Sequence, residues 1–307
     1  MPFLQLTLCV GSADPEPFED ALLGAGALSI TLEDAEDNPV LEPAPGTTPL
    51  WPSVRIKALF DIASDPLVIE ALLQAQLPAA LPELAFERLD DRPWEREWLK
   101  DFRPMRFGQR LWICPDGQRP DTTASCGSQL TAHSSSPVFI DLDPGLAFGT
   151  GTHPTTALCL TWLDGAELHG KTVIDYGCGS GILAIGALKL GAASALAVDI
   201  DPQAIIATKE NAARNDVADR MEACTVAEMD ARPADVVLAN ILAEPLMTLA
   251  AALATLVKPG GRIVLSGLLT EQATQVAAQY ATWFHIAPVS VRDGWARIDG
   301  TRKETAC

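Results

Sequence analysis

The stretch VIDYGCGSGILAIGA, residues 173–187, sets Gly177, Gly179 and Gly181 between two apolar runs. Glycine lets a backbone turn sharply and lets a ligand approach closely. A helix opening just beyond such a turn offers unpaired N–H groups and a partial positive charge. The dinucleotide fingerprint GxGxxG needs a third glycine where this chain has Ile182. The GxGxG spacing therefore favours a ligand with no pyrophosphate to cradle, and S-adenosylmethionine is the expected one.

Three polar residues stand where strands end around that turn. Asp175 lies at the end of the strand feeding the glycines, where it either meets the cofactor's ammonium or caps the glycine loop. Asp199 closes the next strand in AVDIDP, 22 residues beyond Gly177. A carboxylate there can accept both ribose hydroxyls of an adenosine; the plainer role is a turn acid. Asn240 ends ADVVLAN, and its amide can both accept and donate, which suits holding an amine with its lone pair aimed at a methyl group. A turn or helix cap is the alternative.

The segment LDPGLAFGTGTHPTTALCL, residues 142–160, mixes glycines with Phe148, Thr152, His153, Thr155 and Thr156 just before a helix. This composition suits a lid or binding loop. Thr155 or Thr156 could cap the helix. His153 either acts as a base near its ordinary pKa or ties the loop together.

These residues need a frame. From residue 137 onward strands alternate with helices: VFIDLD, a helix from Thr156 to Leu163, KTVIDYG, ILAIGALKLG, SALAVDI, then DPQAIIATKENAARND with Asp201 as cap and Pro202 in its first turn. MEACTVA, ADVVLAN and GRIVLSG follow as strands with helices expected between them. Such alternation predicts a sheet covered on both faces. PVSVRDGWARIDGTR reads as a terminal antiparallel hairpin. Residues 1–90 read β-α-β-β-α-β, the order of ferredoxin-like domains. Residues 91–136 between them read as a linker helix, with Trp94 and Trp98 on one face, followed by a polar loop over 121–136.

Bulk properties narrow the function. The 307 residues carry 22 Lys and Arg against 40 Asp and Glu, a net charge of -18. That argues against a protein that tracks nucleic-acid phosphates and permits a basic partner. No apolar run reaches the ~20 residues of a membrane span, and the first residues lack a basic leader, so a cytoplasmic protein is expected. Seven cysteines without CxxC and four histidines without HExxH give no metal site.

WEREWLKDFRPMRFGQRLWICP, DLDPGLAFGTGTHPTTALCL, VIDYGCGSGILAI, AVDIDPQA, NAARN, VLANILAEPL, LSGLL and GWARIDG occur in this order between residues 94 and about 300. Together they resemble the ribosomal protein L11 methyltransferase family. AFGTGTHPTT and ANILAEPL are specific to it, whereas GCGSG marks class I methyltransferases in general. The resemblance implies a doubly wound, seven-stranded class I methyltransferase domain over 137–307, preceded by the small ferredoxin-like domain as a substrate-recognition unit. It implies methyl transfer from S-adenosylmethionine to lysine side chains and the N-terminal amine of ribosomal protein L11, free or in the large subunit; a monomer is expected, and charge and hydropathy add the expectation of no nucleic-acid specificity and no membrane attachment. Matched residue by residue, the family's cofactor contacts fall on Thr156, Gly177, Asp199 and Asn240. Phe148, Gly179 and Asp175 complete the expected cofactor set, and Asn240 is the expected catalytic residue. The first 90 residues match weakly, and 118–136 is longer and more polar than the family pattern.

The chemistry implied is in-line displacement at a sulfonium methyl by a neutral amine. A lysine of pKa ≈10.4 is only ~0.1% neutral near pH 7.4, so the site must strip water and a proton from it. Three rivals remain: a methyltransferase for another protein's lysines or a small molecule, a nicotinamide-dependent oxidoreductase, and a non-catalytic assembly factor.

Overall fold

The computed structural model describes residues 2–36, 50–77, 81–89, 103–115, 118–120, 136–142, 152–230 and 232–304. The chain divides into two compact units, Met1–Trp94 and Glu95–Cys307.

The first unit follows the expected element order. Strand β1 (Phe3–Gly11) leads into helix α1 (Glu16–Gly24), then β2 (Ser29–Asp34), β3 (Val54–Asp61), α2 (Pro66–Gln76) and β4 (Leu84–Leu89). The four strands form one antiparallel sheet in the order β2-β3-β1-β4. Alternation explains the buried face. Leu4, Leu6 and Leu8 of β1 and Ile56, Ala58 and Phe60 of β3 point into a core closed by Leu22 of α1 and by Ile69 and Leu73 of α2. Asp65 caps α2 by accepting from the Leu67 N–H at 2.9 Å, with Pro66 at the first helical position.

The second unit begins with a small sheet. β5 (Met105–Phe107) and β6 (Leu111–Pro115) are antiparallel, and β7 (Val138–Leu142) joins β6 in parallel at the edge. Residues 105–115, expected within a connector, are therefore strands. Their Leu111, Ile113 and Cys114 are fully buried, which the dense Trp and Arg of the surrounding segment disguised. The linker helix and the polar loop fall on 90–102 and 121–135, outside the described residues.

The large sheet is built from β8 (Thr172–Tyr176), β9 (Ser194–Asp199), β10 (Met221–Thr225), β11 (Ala234–Asn240), β12 (Val257–Leu269), β13 (Phe284–Ile286), β14 (Ser290–Arg292) and β15 (Trp295–Arg302). Seven strands run β10-β9-β8-β11-β12-β15-β13, with β14 added on β15. The first five are parallel, while β15 and β13 pair antiparallel. The terminal hairpin closes through Asp293 and Gly294, both at positive φ, as a two-residue turn requires.

Helices cover both faces. Helix α3 (Pro154–Gly165), α4 (Ile182–Lys189) and α5 (Pro202–Arg214) contribute to one core; α6 (Ala243–Thr248), α7 (Ala250–Thr255) and α8 (Ala273–Tyr280) contribute to the other. One expected helix is missing. Between β10 and β11 the described residues form only a 3₁₀ turn, Val226–Glu228, closed by a Thr225–Glu228 capping box. Eight residues separate the two strands, too few for a crossover helix with its turns. No helix among the described residues is long and apolar enough to cross a membrane.

Candidate active site at the carboxyl edge of the sheet

The sheet reverses direction of growth at β8. Strands β9 and β10 lie to one side of it, β11 and β12 to the other. Ligands of open α/β sheets bind at the carboxyl ends of strands beside such a switch point. Asp199, the Gly177 turn and Asn240 end or follow β9, β8 and β11, and Ser266 of β12 stands opposite Asn240 in register.

Gly177, Gly179 and Gly181 all adopt positive φ, at 80°, 53° and 78°. A Cβ at Gly177 would overlap Cγ2 of Ile241, and one at Gly181 would sit 2.9 Å from Thr208 Cγ2. Gly181 is also the N-cap of α4, so the loop enters the helix in a left-handed conformation. The carboxylate of Asp199 accepts from the Gly179 N–H at 2.9 Å and the Asp201 N–H at 3.0 Å, while Asp201 caps α5 through Gln203. Asp199 thus fixes the glycine loop as well as the start of the next helix.

Asp175 is completely buried. Its Oδ2 accepts from the Ala184 N–H at 3.0 Å, and its Oδ1 has no hydrogen-bond partner among the described residues. Burial, reinforced by the charge of Asp199, pushes its carboxyl up to about 7 against the effect of the Ala184 hydrogen bond.

Asn240 and Thr156 meet across 84 positions of sequence. The Asn240 Nδ2 donates to the Thr156 hydroxyl at 3.3 Å, and Asn240 Oδ1 is buried with no partner among the described residues. The carbonyl of the amide is therefore the end left to accept. Behind Asn240, Gly267 at φ 88° lies against the backbone of Ile241, so tightly that a Cβ there would overlap the Ile241 carbonyl. Neither Ile241 nor Gly267 stood out as a positioning residue in the sequence; the glycine inside LSGLL was the available signal.

His153, rather than Thr155 or Thr156, is the N-cap of α3. Its Nδ1 lies 2.7 Å from the Thr155 hydroxyl and 3.4 Å from the Thr155 N–H. The ring meets Trp295 edge-on at 4.6 Å between centroids, and burial lowers its pKa. Capping by His153 frees the Thr156 hydroxyl for Asn240. Phe148 lies outside the described residues. Thr156, Asp175, Gly177, Gly179, Asp199 and Asn240 all stand on this edge, and no metal-holding group of acidic, His or Cys residues occurs among the described residues.

Two orphaned buried oxygens beside a glycine turn fit a ligand that brings hydrogen-bond donors. Asp175 Oδ1 suits an ammonium group, and Asn240 Oδ1 suits an amine.

The family model described as "Ribosomal protein L11 methyltransferase (PrmA)" matches residues 2–303. A ribosomal protein L11 methyltransferase of Pseudomonas putida (strain W619) is 52% identical over 304 residues, covering 99% of this chain and 100% of the relative. That of Azotobacter vinelandii (strain DJ / ATCC BAA-1303) is 51% identical over 305 residues, covering 99% and 100%. The crystal structure of a ribosomal protein L11 methylase from Lactobacillus delbrueckii subsp. bulgaricus superposes with a TM-score of 0.55 at 32% identity, covering 66% of this chain and 100% of that one. With the family model spanning nearly the whole chain and relatives sharing half its residues, the chain belongs to the ribosomal protein L11 methyltransferase family.

Proposed function

We propose that this methyltransferase moves methyl groups from S-adenosylmethionine to amines of ribosomal protein L11, the lysine side chains and the N-terminal amine. The observation that carries the reading is the Asn240 amide, held by Thr156 through its nitrogen and left with a buried, unpartnered oxygen.

When bound, S-adenosylmethionine supplies a methyl group on a positively charged sulfur that leaves readily. Thr156, Asp175, Gly177, Gly179, Asp199 and Asn240 would hold it. Asp199 keeps lone pairs for ribose hydroxyls on the two oxygens that accept from Gly179 and Asp201. Asp175 Oδ1 would accept from the cofactor's ammonium, and that cation would draw the raised carboxyl pKa back down. Phe148 would add an apolar contact from the segment before α3.

Asn240 Oδ1 accepts an N–H of the incoming amine and turns its lone pair toward the methyl group. Thr156 accepts from the amide nitrogen and so leaves that oxygen for the amine. Alignment of this kind accelerates a displacement by fixing the attack geometry. Proton loss from the lysine is helped by removal of water around it. Residues 1–90 serve as the substrate-recognition unit. Their acidity suits a basic ribosomal protein.

Mass spectrometry of large-subunit proteins, from cells with and without this gene, tests the assignment. L11 lighter by whole methyl groups in the deletion strain is the expected result. Unchanged L11 mass would sink it and favour another protein or a small molecule as the acceptor.

A further inference from the structure

Helix α5 carries a second set of buried polar groups that the methyl-transfer reading leaves unused. Thr208, Asn211 and Asn215 follow one another at spacings of three and four, so they share one helical face. Thr208 is fully buried, Asn211 is 3% exposed and Asn215, the C-cap of the helix, is 2% exposed. Buried polar side chains are costly unless their hydrogen bonds are made.

Those bonds go to two backbone segments. The Thr208 hydroxyl donates to the Gly179 carbonyl at 3.0 Å, and the Asn211 amide donates to the Ser180 carbonyl at 3.0 Å. Consecutive carbonyls of the glycine loop are thereby turned into α5. In a trans peptide the N–H points opposite to the carbonyl, so the N–H groups of Ser180 and Gly181 are turned away from the helix, and that of Gly181 donates to the Cys178 carbonyl at 2.8 Å, closing the turn. On the far side, the Gly179 N–H donates to Asp199. The loop is gripped from both sides, by the helix through its carbonyls and by the β9 carboxylate through an N–H.

Asn215 reaches the second segment. Its Oδ1 accepts from the Asp141 N–H at 2.9 Å and its Nδ2 donates to the Asp141 carbonyl at 2.6 Å, with a further bond to the Asn211 carbonyl at 2.8 Å. The side-chain amide thus engages both backbone groups of one residue in β7, on the edge strand of the small sheet. That strand leads directly into residues 143–151, which precede His153 and Thr156 in sequence.

We infer that Thr208, Asn211 and Asn215 are positioning residues, a buried stripe that braces the Gly179–Ser180 turn of the glycine loop for the cofactor and anchors the strand leading into residues 143–151. The inference rests on the methyl-donor reading for its ligand and on the hydrogen bonds alone for its geometry. An apolar stripe of the same size would fill the space but leave the Gly179 and Ser180 carbonyls without these donors. Cofactor affinity should therefore depend on the donors themselves, while the aligned Asn240 and Thr156 remain untouched.

The decisive pair is Thr208→Val against Thr208→Ser in the full-length chain, with Asn211→Leu alongside. Loss of a donor to a buried carbonyl should weaken S-adenosylhomocysteine, titrated by calorimetry, about tenfold in Thr208→Val and Asn211→Leu. Thr208→Ser should stay near wild type. The cofactor KM should rise in parallel, while kcat at saturating cofactor stays within about twofold. In cofactor-free protein, amide hydrogen exchange over residues 177–181 should quicken in both donor-deleting variants and not in Thr208→Ser. Unchanged affinity and exchange, with only a lower Tm or a smaller active fraction, would overturn the inference. If Asn211→Leu does not fold, the Thr208 pair decides alone. Failure of wild-type protein to bind S-adenosylhomocysteine would instead overturn the methyl-donor reading, and the exchange measurement would still decide the brace.

Discussion

The two compact units bury different kinds of groups. Among the described residues, the core of the first unit is apolar throughout, and every buried polar or charged residue, from Thr155 to Asp299, belongs to the second. Charge divides the other way. Residues 1–90 hold fifteen Asp and Glu against three Lys and Arg, while the rest of the chain holds twenty-five against nineteen. A dry core under an acidic exterior specifies a scaffold and a surface field. Buried polar groups specify directions, at a cost that is sustained where a loop or ligand must face one way. The contrast fits the proposed division of labour, with recognition by the surface of the first unit and chemistry in the interior of the second.

The contrast breaks most sharply at Asn240. Asn240→Ala should lower kcat for methyl transfer roughly 100-fold or more, because alignment is lost. Single-turnover transfer of a labelled methyl group measures it; a rate within a few-fold of wild type would remove Asn240 from the reaction. Next comes the apolar core. Leu73→Ala should cost the first unit about 2–5 kcal/mol and leave S-adenosylhomocysteine affinity of the full-length protein unchanged. If calorimetry shows that affinity falling too, the division of labour between the units is wrong.

A smaller effect is expected at the glycine turn. Gly177→Ala puts a side chain at φ 80° and against Ile241, costing about 1–3 kcal/mol by chemical denaturation, and Ile241→Ala should recover part of it. No recovery in the double variant would mean that the backbone angle alone sets the cost. Asp175 gives a pH signature. Burial holds its carboxyl at about 7, so the folded chain keeps a proton that the unfolded chain releases near pH ~4. Stability from this group is therefore lost as pH rises from about 4 through 7. Asp175→Asn should flatten that slope in Tm against pH while weakening S-adenosylhomocysteine; an unaltered slope would show that Asp175 titrates normally. The smallest effect belongs to the acidic surface. Raising salt from about 50 to 300 mM should raise the KM for the protein substrate a few-fold and leave the cofactor KM alone. Equal responses would deny the first unit its electrostatic role.

Much of this was legible in the sequence for physical reasons. Period-two alternation in FLQLTLCV and VRIKALF gave the first sheet, and Asp-Pro pairs marked the starts of α2 and α5. The three glycines, Asp175, Asp199 and Asn240 could be placed because strand ends in a parallel sheet converge on one edge. Other features depended on distant partners. Nothing local shows that Asn240 meets Thr156, or that His153 takes the cap and leaves that hydroxyl available. The strands at 105–115 were hidden because three- and five-residue strands carry too little alternation to read. The helix expected after MEACTVA failed on length, which outweighed the usual alternation of the fold. Thr208 was hidden for another reason: a lone threonine in a helix reads as a surface residue until its carbonyl partner is known.

The Asn215 clamp has a consequence for solubility. An open strand edge is a template on which a second chain can build. On β7 the backbone of Asp141 is already engaged, donor and acceptor alike, by one side chain acting as a strand would. That single amide closes the β7 edge at Asp141, the position at which an added strand would otherwise pair.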